Sequence, residues 1–448
     1  MIKEGISNVS PLLDNLSNSQ LYRLEELKIE IDISASKLDD LSNMLSVEIE
    51  KKIRQTLQLS DNYALKSKKE LVTPNQSLEE GFLHFLKNGT LPWYIKTLKT
   101  PIFKNTSSIF KQQLSKLLTV HHEAKRRLVF QFEDETVYLI IELLKKADST
   151  VISIIREMAE IIQLATGRVT DRFGAGNLLK KNFLKIVIQE IFSKDNSFIK
   201  RKDFFERALM IFLSEVASKN WFSFDKFSIA FKEQLLHHNI DFVPQLNLNL
   251  KEEESNSKIP TTKKVPFNAI MEEDFEDLKE NEIRYQIPNG GIVLLHPFLS
   301  RFFEKLGLME HGKFRSSNCQ QRAVCLIHYL ATGENRFEEQ KMIFPKFICN
   351  YPLSQTVPID LPVSEYEKTE ANSLLDSIIE HWDALKNTSI DGIRVNFLQR
   401  KALLIKESPG YSLYVENDTI DILMDRLPWN ISIVKWSWNP NLLTVKWR

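Results

Sequence analysis

The sequence predicts a mainly α, α+β protein. A helical body follows a short N-terminal strand–helix unit and precedes a C-terminal helical domain closed by a small antiparallel sheet. Three observations carry this. Between about 106 and 240, apolar residues recur every three or four positions with few breaks. Near 27–33 and again near the C-terminus the apolar period drops to two, the signature of half-buried strands. The chain also has only 13 glycines in 448 residues, where average usage of roughly 7% would give about 31, which disfavours a turn-dense all-β fold.

Taken in order, Leu27, Ile29, Ile31 and Ile33 alternate with Lys28, Glu30 and Asp32, predicting a strand with one buried face. Leu38, Leu41, Leu45, Ile49 and Ile53 then recur at helical spacing. A short apolar helix near Phe82 is stopped by Asn88-Gly89 and Pro92. The helical body reads as spans 107–119, 123–146, 150–166, 176–193, 201–219 and 224–238. Its phenylalanines, among them Phe212, Phe227 and Phe231, are expected to fill helix interfaces.

Charges and two prolines crowd the stretch from about 247 to 286, predicting a solvated linker. The expected organisation is therefore an N-terminal region over 1–100, a helical domain over 101–245, an acidic flexible linker over 246–286 and an α+β domain over 287–448. In the last of these the spacing predicts helices over 320–331 and 365–385. The second is signed by a Ser364/Glu367 capping box after Pro362. Three strands are expected to close the chain, Tyr411–Val415, Ile431–Trp438 and Leu442–Trp447.

Several function classes are disfavoured at once. The 59 Lys+Arg balance 59 Asp+Glu, whereas a nucleic-acid binder needs a basic face to displace counterions. Three cysteines make no disulfide scaffold, and the N-terminal MIKEGISNVSPLL lacks the apolar core of a signal peptide, so a cytoplasmic location is expected. No apolar run approaches the ~18 residues of a membrane span.

Searches for chemistry return weak signals. Gly307 to Lys313 has the G-x-x-x-x-G-K spacing of a phosphate loop, but Phe314 stands where Ser or Thr would hold magnesium, and a helix precedes it. Gly174 and Gly176 lack the third glycine of a dinucleotide fingerprint. Cys325 and His328 share a helix face and could begin a zinc site with Cys319, Cys349, His296 or His311, yet there is no C-x-x-C pair and Cys325 sits in an apolar helix. No catalytic, cofactor or metal residue is assigned. Basic clusters such as Lys125-Arg126-Arg127 read as solvated faces. The tryptophans stand out: four of seven, Trp429, Trp436, Trp438 and Trp447, lie close to the C-terminus. Trp436 and Trp438 would share one strand face, either as core beneath the helices or as an aromatic docking patch; the four are the candidate protein-interaction residues.

Five blocks, in order, carry a resemblance: NGGIVLLHPFLSRFFEKLGL (289–308), RAVCLIHYLATGE (322–334), FPKFIC (344–349), HWDALKNTSIDGIRVNFLQRKALL (381–404) and DRLPWNISIVKWSW (425–438) with TVKW (444–447). RLEELKIEIDI (23–33) and FLKNGTLPWYI (85–95) extend it upstream. The chain resembles the contractile injection system tape measure proteins of phage-tail-like particles. The resemblance implies a non-enzymatic assembly role that sets tube and sheath length. Tube, baseplate or terminator subunits would be its partners, with self-association possible and no cofactor. A chaperone or adaptor for effector cargo or a partner subunit is the alternative. A wholly helical chain would reach about 670 Å at 1.5 Å per residue; the frequent breaks and strand signals instead predict a folded chain.

Overall fold

The computed structural model describes residues 21–24, 44, 47–49, 51–52, 69–92, 95, 98, 106–144, 146–147, 149–170, 174–193, 201–217, 223–238, 284–407 and 410–447. The protein is mostly helical, with a small sheet in its C-terminal part. It divides into two units, one of residues 1–84 and 91–113 and one of residues 85–90 and 114–448.

In the first unit, strands β1 (Leu21–Leu24) and β2 (Lys69–Val72) pair antiparallel. The expected strand at 27–33 and most of the helix at 38–53 lie outside the described residues. Helix α1 spans Pro74–Asn88 and starts eight residues before the apolar stretch near Phe82. Its start is a capping arrangement: the Gln76 amide donates to Thr73 Oγ1, and the Thr73 amide donates to Gln76 Oε1. Proline at the first helical position costs nothing there, because that N–H has no intrahelical partner. Glu79, 5% exposed, accepts from the amide and hydroxyl of Ser107, which caps helix α2 (Ser108–Val120) in turn. Phe82 and Phe110 pack with ring centroids 6.2 Å apart.

The second unit contains helices α3 (His122–Gln131), α4 (Asp134–Leu143), α5 (Ser149–Gly167), α6 (Ala175–Ile191), α7 (Arg201–Ala217) and α8 (Phe224–His237). The single helix expected over 123–146 is thus two, parted where Phe132 and Glu133 turn extended. The Lys181 ammonium donates to the Phe132 carbonyl at 2.7 Å, replacing the helical bond lost there. Helix α6 packs on α3, α5 and α7, and α8 packs on α5. A Cβ on Gly176 would meet the Gln163 carbonyl at 2.9 Å, so this glycine allows the close approach of α5 and α6. As expected, phenylalanines fill the interfaces: Phe183–Phe212, Phe212–Phe227 and Phe227–Phe231 lie 5.7, 6.4 and 5.5 Å apart.

The acidic segment lies outside the described residues as far as 283, after which strand β3 (Arg284–Ile287) begins. A 3-10 turn over Gly290–Leu295 leads to α9 (Leu299–Lys305), a two-residue hairpin β4 (Met309–Glu310) and β5 (Lys313–Phe314), and α10 (Ser317–Thr332). Helices α11 (Ile343–Ile348) and α12 (Glu365–His381) follow, the latter opening on the expected Ser364/Glu367 capping box. A short α13 (Ile390–Ile393) runs into a π turn, Arg394–Leu398. Strands β6 (Ala402–Glu407), β7 (Gly410–Val415), β8 (Ile433–Val434) and β9 (Leu443–Lys446) complete a sheet of order β3-β6-β7-β9-β8.

That sheet corrects the expectation of an antiparallel one. It is mixed: β7 and β9 run parallel, with Leu413 opposite Val445. The chain leaves β7, crosses through a 3-10 helix (Thr419–Arg426), lays β8 on the outside and returns through β9. The strand expected over 431–438 narrows to Ile433–Val434, and the chain turns at 437–438, where the Asn439 amide donates to the Trp436 carbonyl at 3.3 Å. The Asn439 side chain donates to the Phe347 carbonyl at 2.6 Å and accepts from the Asn441 amide at 2.9 Å. Leu404, Leu413, Leu443 and Val445 enter one apolar core with α10, α11 and α12; all residues of that core lie between 285 and 447.

Candidate interaction site

The four candidate tryptophans fold inward. Trp436 and Trp447 are 3% and 7% exposed, while Trp429 and Trp438 are half-buried against the same core. Three of the four indoles find a specific acceptor. Trp438 donates to the Ile348 carbonyl at 2.8 Å, at the end of α11, and Trp429 to the Leu294 carbonyl at 3.1 Å, near the end of the 3-10 turn. Carbonyls at helix ends lack intrahelical partners, so each ring fills space and caps a helix together. Trp447 donates to Asp421 Oδ2 at 3.2 Å, and Arg400 donates to the other oxygen at 2.8 Å. Among the described residues the Trp436 N–H has no partner. Trp436 and Trp438 lie 6.5 Å apart, outside any strand. Trp429 stands edge-on to Phe298 and Trp382, and Trp438 to Phe303 and Phe314. The rings therefore fasten the C-terminal segment to the helices.

Three of the zinc candidates are sealed, whereas Cys319 and His296 are half-buried and His311 is exposed. Cys325, Cys349 and His328 are fully buried. Burial pushes the Cys325 thiol up to about 12 and the Cys349 thiol well above its usual range, opposing the thiolate a metal requires. Burial, then the Lys341 charge, lowers His328 to about 3. Its ring stands edge-on to Phe337, with Glu334 3.9 Å from Nε2. Among the described residues no three His, Cys, Asp or Glu side chains converge to hold a metal. The Gly307–Lys313 spacing belongs to the end of α9 and the β4–β5 hairpin. His311 and Gly312 both take positive φ at its tip, and Phe314 packs on Phe303.

A buried polar cluster on α3 escaped the sequence reading. Lys125-Arg126-Arg127, expected as a solvated face, contains a fully buried Arg127. Its guanidinium donates to the Leu86 and Lys87 carbonyls at 2.8 and 2.6 Å, capping α1, and to the Ser354 carbonyl. Arg127 Nε lies 3.9 Å from Glu339 Oε1, which accepts from Lys346 Nζ at 2.5 Å; all three side chains are 1% exposed. Glu339 Oε2 accepts from the Val357 amide at 3.2 Å. One turn further along α3, Gln131 donates to the carbonyls of Val357 and Phe337 at 2.6 and 3.2 Å and accepts from the Glu339 amide at 2.9 Å. Glu123 accepts from the Thr356 amide and hydroxyl at 3.1 and 3.2 Å, and the Phe130 carbonyl accepts from the Ile359 amide. Helix α3 thus grips segment 354–359 along its length.

Electrostatics match the geometry. Burial lowers Arg127 and Lys346, and Glu339 opposes both shifts. Burial would raise Glu123, but hydrogen bonding and the Arg126 and Arg127 charges outweigh it and hold the carboxyl below its ordinary value. The available signal was spacing alone: 123, 127 and 131 fall on one stripe of a helix. Beside this cluster a cleft of about 250 Å³ is lined by Gln131, Asp134, Lys180, Lys181, Arg336 and Asp360. Asp134 already pairs with Lys180 and Lys181 at 2.8 Å.

A family model described as contractile injection system tape measure protein aligns with residues 3–447. No curated protein and no solved structure gives a significant match.

Proposed function

Because this chain belongs to the contractile injection system tape measure protein family, we propose that it is a non-enzymatic assembly protein that sets the length of the inner tube and sheath. Family membership gives it a structural role in building a contractile injection particle. The observation that carries the reading is the extent of the match, 3–447, which takes in the helical body and the C-terminal core alike. On this reading its partners are tube, baseplate or terminator subunits, and it works in the bacterial cytoplasm where particles assemble.

Two further features support it. The displaced groups Cys325, His328 and Lys346 owe their shifts chiefly to burial inside packed structure, not to an open reacting cleft. Among the described residues no helix is long and apolar enough to cross a membrane. The adaptor alternative drew on a tryptophan face and on the acidic linker; those rings pack in or against the core, and the linker lies outside the described residues as far as 283. Electron microscopy of particles from a strain lacking the gene tests the reading. Length control predicts a broadened tube-length distribution; an adaptor predicts normal lengths with an empty lumen.

A further inference from the structure

The two parts of the larger unit are held together in an unusual way for one folded body. The apolar core that includes the sheet draws every member from residues 285–447. The helices before it pack mainly on one another, and α3 meets the C-terminal part through segment 354–359 and residues 337–339. The hydrogen bonds across this junction come from α3, beside a small apolar contact where the buried Phe130 and Ile359 meet. Arg127, Gln131 and Glu123 bond main-chain groups of Ser354, Thr356, Val357, Phe337 and Glu339. The buried charges of Arg127, Glu339 and Lys346 complete it.

Such a junction is specific without being strong. Main-chain partners and ions regain hydration when exposed, so the docked state gains little over the open one, whereas parting an apolar core forfeits its full burial. Polar interfaces between parts of one chain are correspondingly the places where parts move. We propose that α3 and segment 354–359 form a clasp that opens as a unit, freeing the helical part from the C-terminal core while both remain folded. In the open form Arg127 leaves Ser354 and Glu339, Gln131 leaves Val357, Phe337 and the Glu339 amide, Glu123 leaves Thr356, and Phe130 leaves Ile359. Lys346 stays with Glu339 on the C-terminal side, since it also donates to the Leu353 carbonyl at 3.2 Å. The inference stands on this geometry and is independent of the length-control reading.

Native-state hydrogen exchange of the full chain, followed by mass spectrometry at low denaturant, tests it. Amides of 354–360 are expected to exchange at least tenfold faster than those of strands β6 and β7, through an opening that leaves the sheet protected. In Gln131→Leu, which removes three uncharged hydrogen bonds, exchange of 354–360 is expected to rise a further tenfold with β6 and β7 unchanged. The wild-type comparison stands alone if the variant does not fold. Equal exchange of the two regions in the wild type, or a matched rise of both in the variant, shows one cooperative body and overturns the proposal.

Discussion

Glu339 and Lys346 form an ion pair sealed from solvent, 2.5 Å apart and each 1% exposed, seven residues apart in sequence. Their enclosure brings two elements into one buried polar site. Lys346 rises from α11, and Glu339 reaches toward Arg127 of α3.

Removing Lys346 takes from the buried Glu339 its close counter-charge and leaves only Arg127 Nε, at 3.9 Å, to balance it. Lys346→Met is expected to cost roughly 3–5 kcal/mol, measured as a lower urea midpoint with unchanged slope. Arg315→Met, which breaks an exposed pair with Glu310 at 3.6 Å, is expected to leave the midpoint where it is. Equal effects from the two substitutions would mean that enclosure adds nothing to the Glu339–Lys346 pair.

His328 makes stability fall on the acid side. Its folded pKa of about 3 lies below the ordinary 6.5, because burial disfavours the charged ring. The unfolded chain therefore takes up a proton that the folded one refuses. Stability is full above pH 6.5 and declines as pH drops toward 3, by up to about 1.4 kcal/mol per pH unit. His328→Phe, beside Phe337, is expected to flatten this part of the stability–pH curve. An unchanged slope in urea titrations at pH 6.5 and 4.5 counts against the assignment.

Glu367 adds a second acid-sensitive contact at lower pH. Burial raises its carboxyl, but hydrogen bonds and charge from Arg322, with the Ser364 cap, more than offset this and hold it below 4.5. Its contribution is present above pH 4.5 and is lost as pH falls through the lowered value. Arg322→Met is expected to lessen the loss of helix signal below that pH, read by circular dichroism.

The two buried tryptophans should differ. Trp447→Phe removes a donor to Asp421, which is 1% exposed, whereas the Trp436 N–H has no partner to lose. Trp447→Phe should therefore cost about 1–2 kcal/mol more than Trp436→Phe in chemical denaturation. The reverse order would mean that packing, not the hydrogen bond, governs the C-terminal segment.

Glycine positions give a sharp contrast. A Cβ at Gly291 would lie 1.7 Å from the Phe397 carbonyl oxygen, while one at Gly167 meets nothing within 4 Å. Gly291→Ala is expected to abolish recovery of folded protein, and Gly167→Ala to leave the melting temperature equal or slightly higher.

Much of this fold was legible where local chemistry acts alone. Ser364 and Glu367 signed a helix start that the structure keeps, and Asn88-Gly89 ended α1 as expected, with Gly89 left-handed. Thr73-Pro74-x-Gln76 carries an equal signal, and the structure starts α1 there. The break at Phe132-Glu133 had no glycine or proline to announce it; a distant Lys181 secures it. Strands β3 and β6 were hidden because RYQI abuts an acidic run and ALLI has no clean alternation. The clasp was illegible for a deeper reason. Arg127, Gln131 and Glu339 look solvated one by one, and only the fold brings them together across 200 or more positions.

The proposed role is length control during particle assembly. Its most direct test is the tube-length distribution, by electron microscopy, in a deletion strain and in the same strain carrying the gene back. The account predicts tubes of variable length in the deletion and a single restored length on complementation. Tubes of one wild-type length in the deletion strain would contradict it.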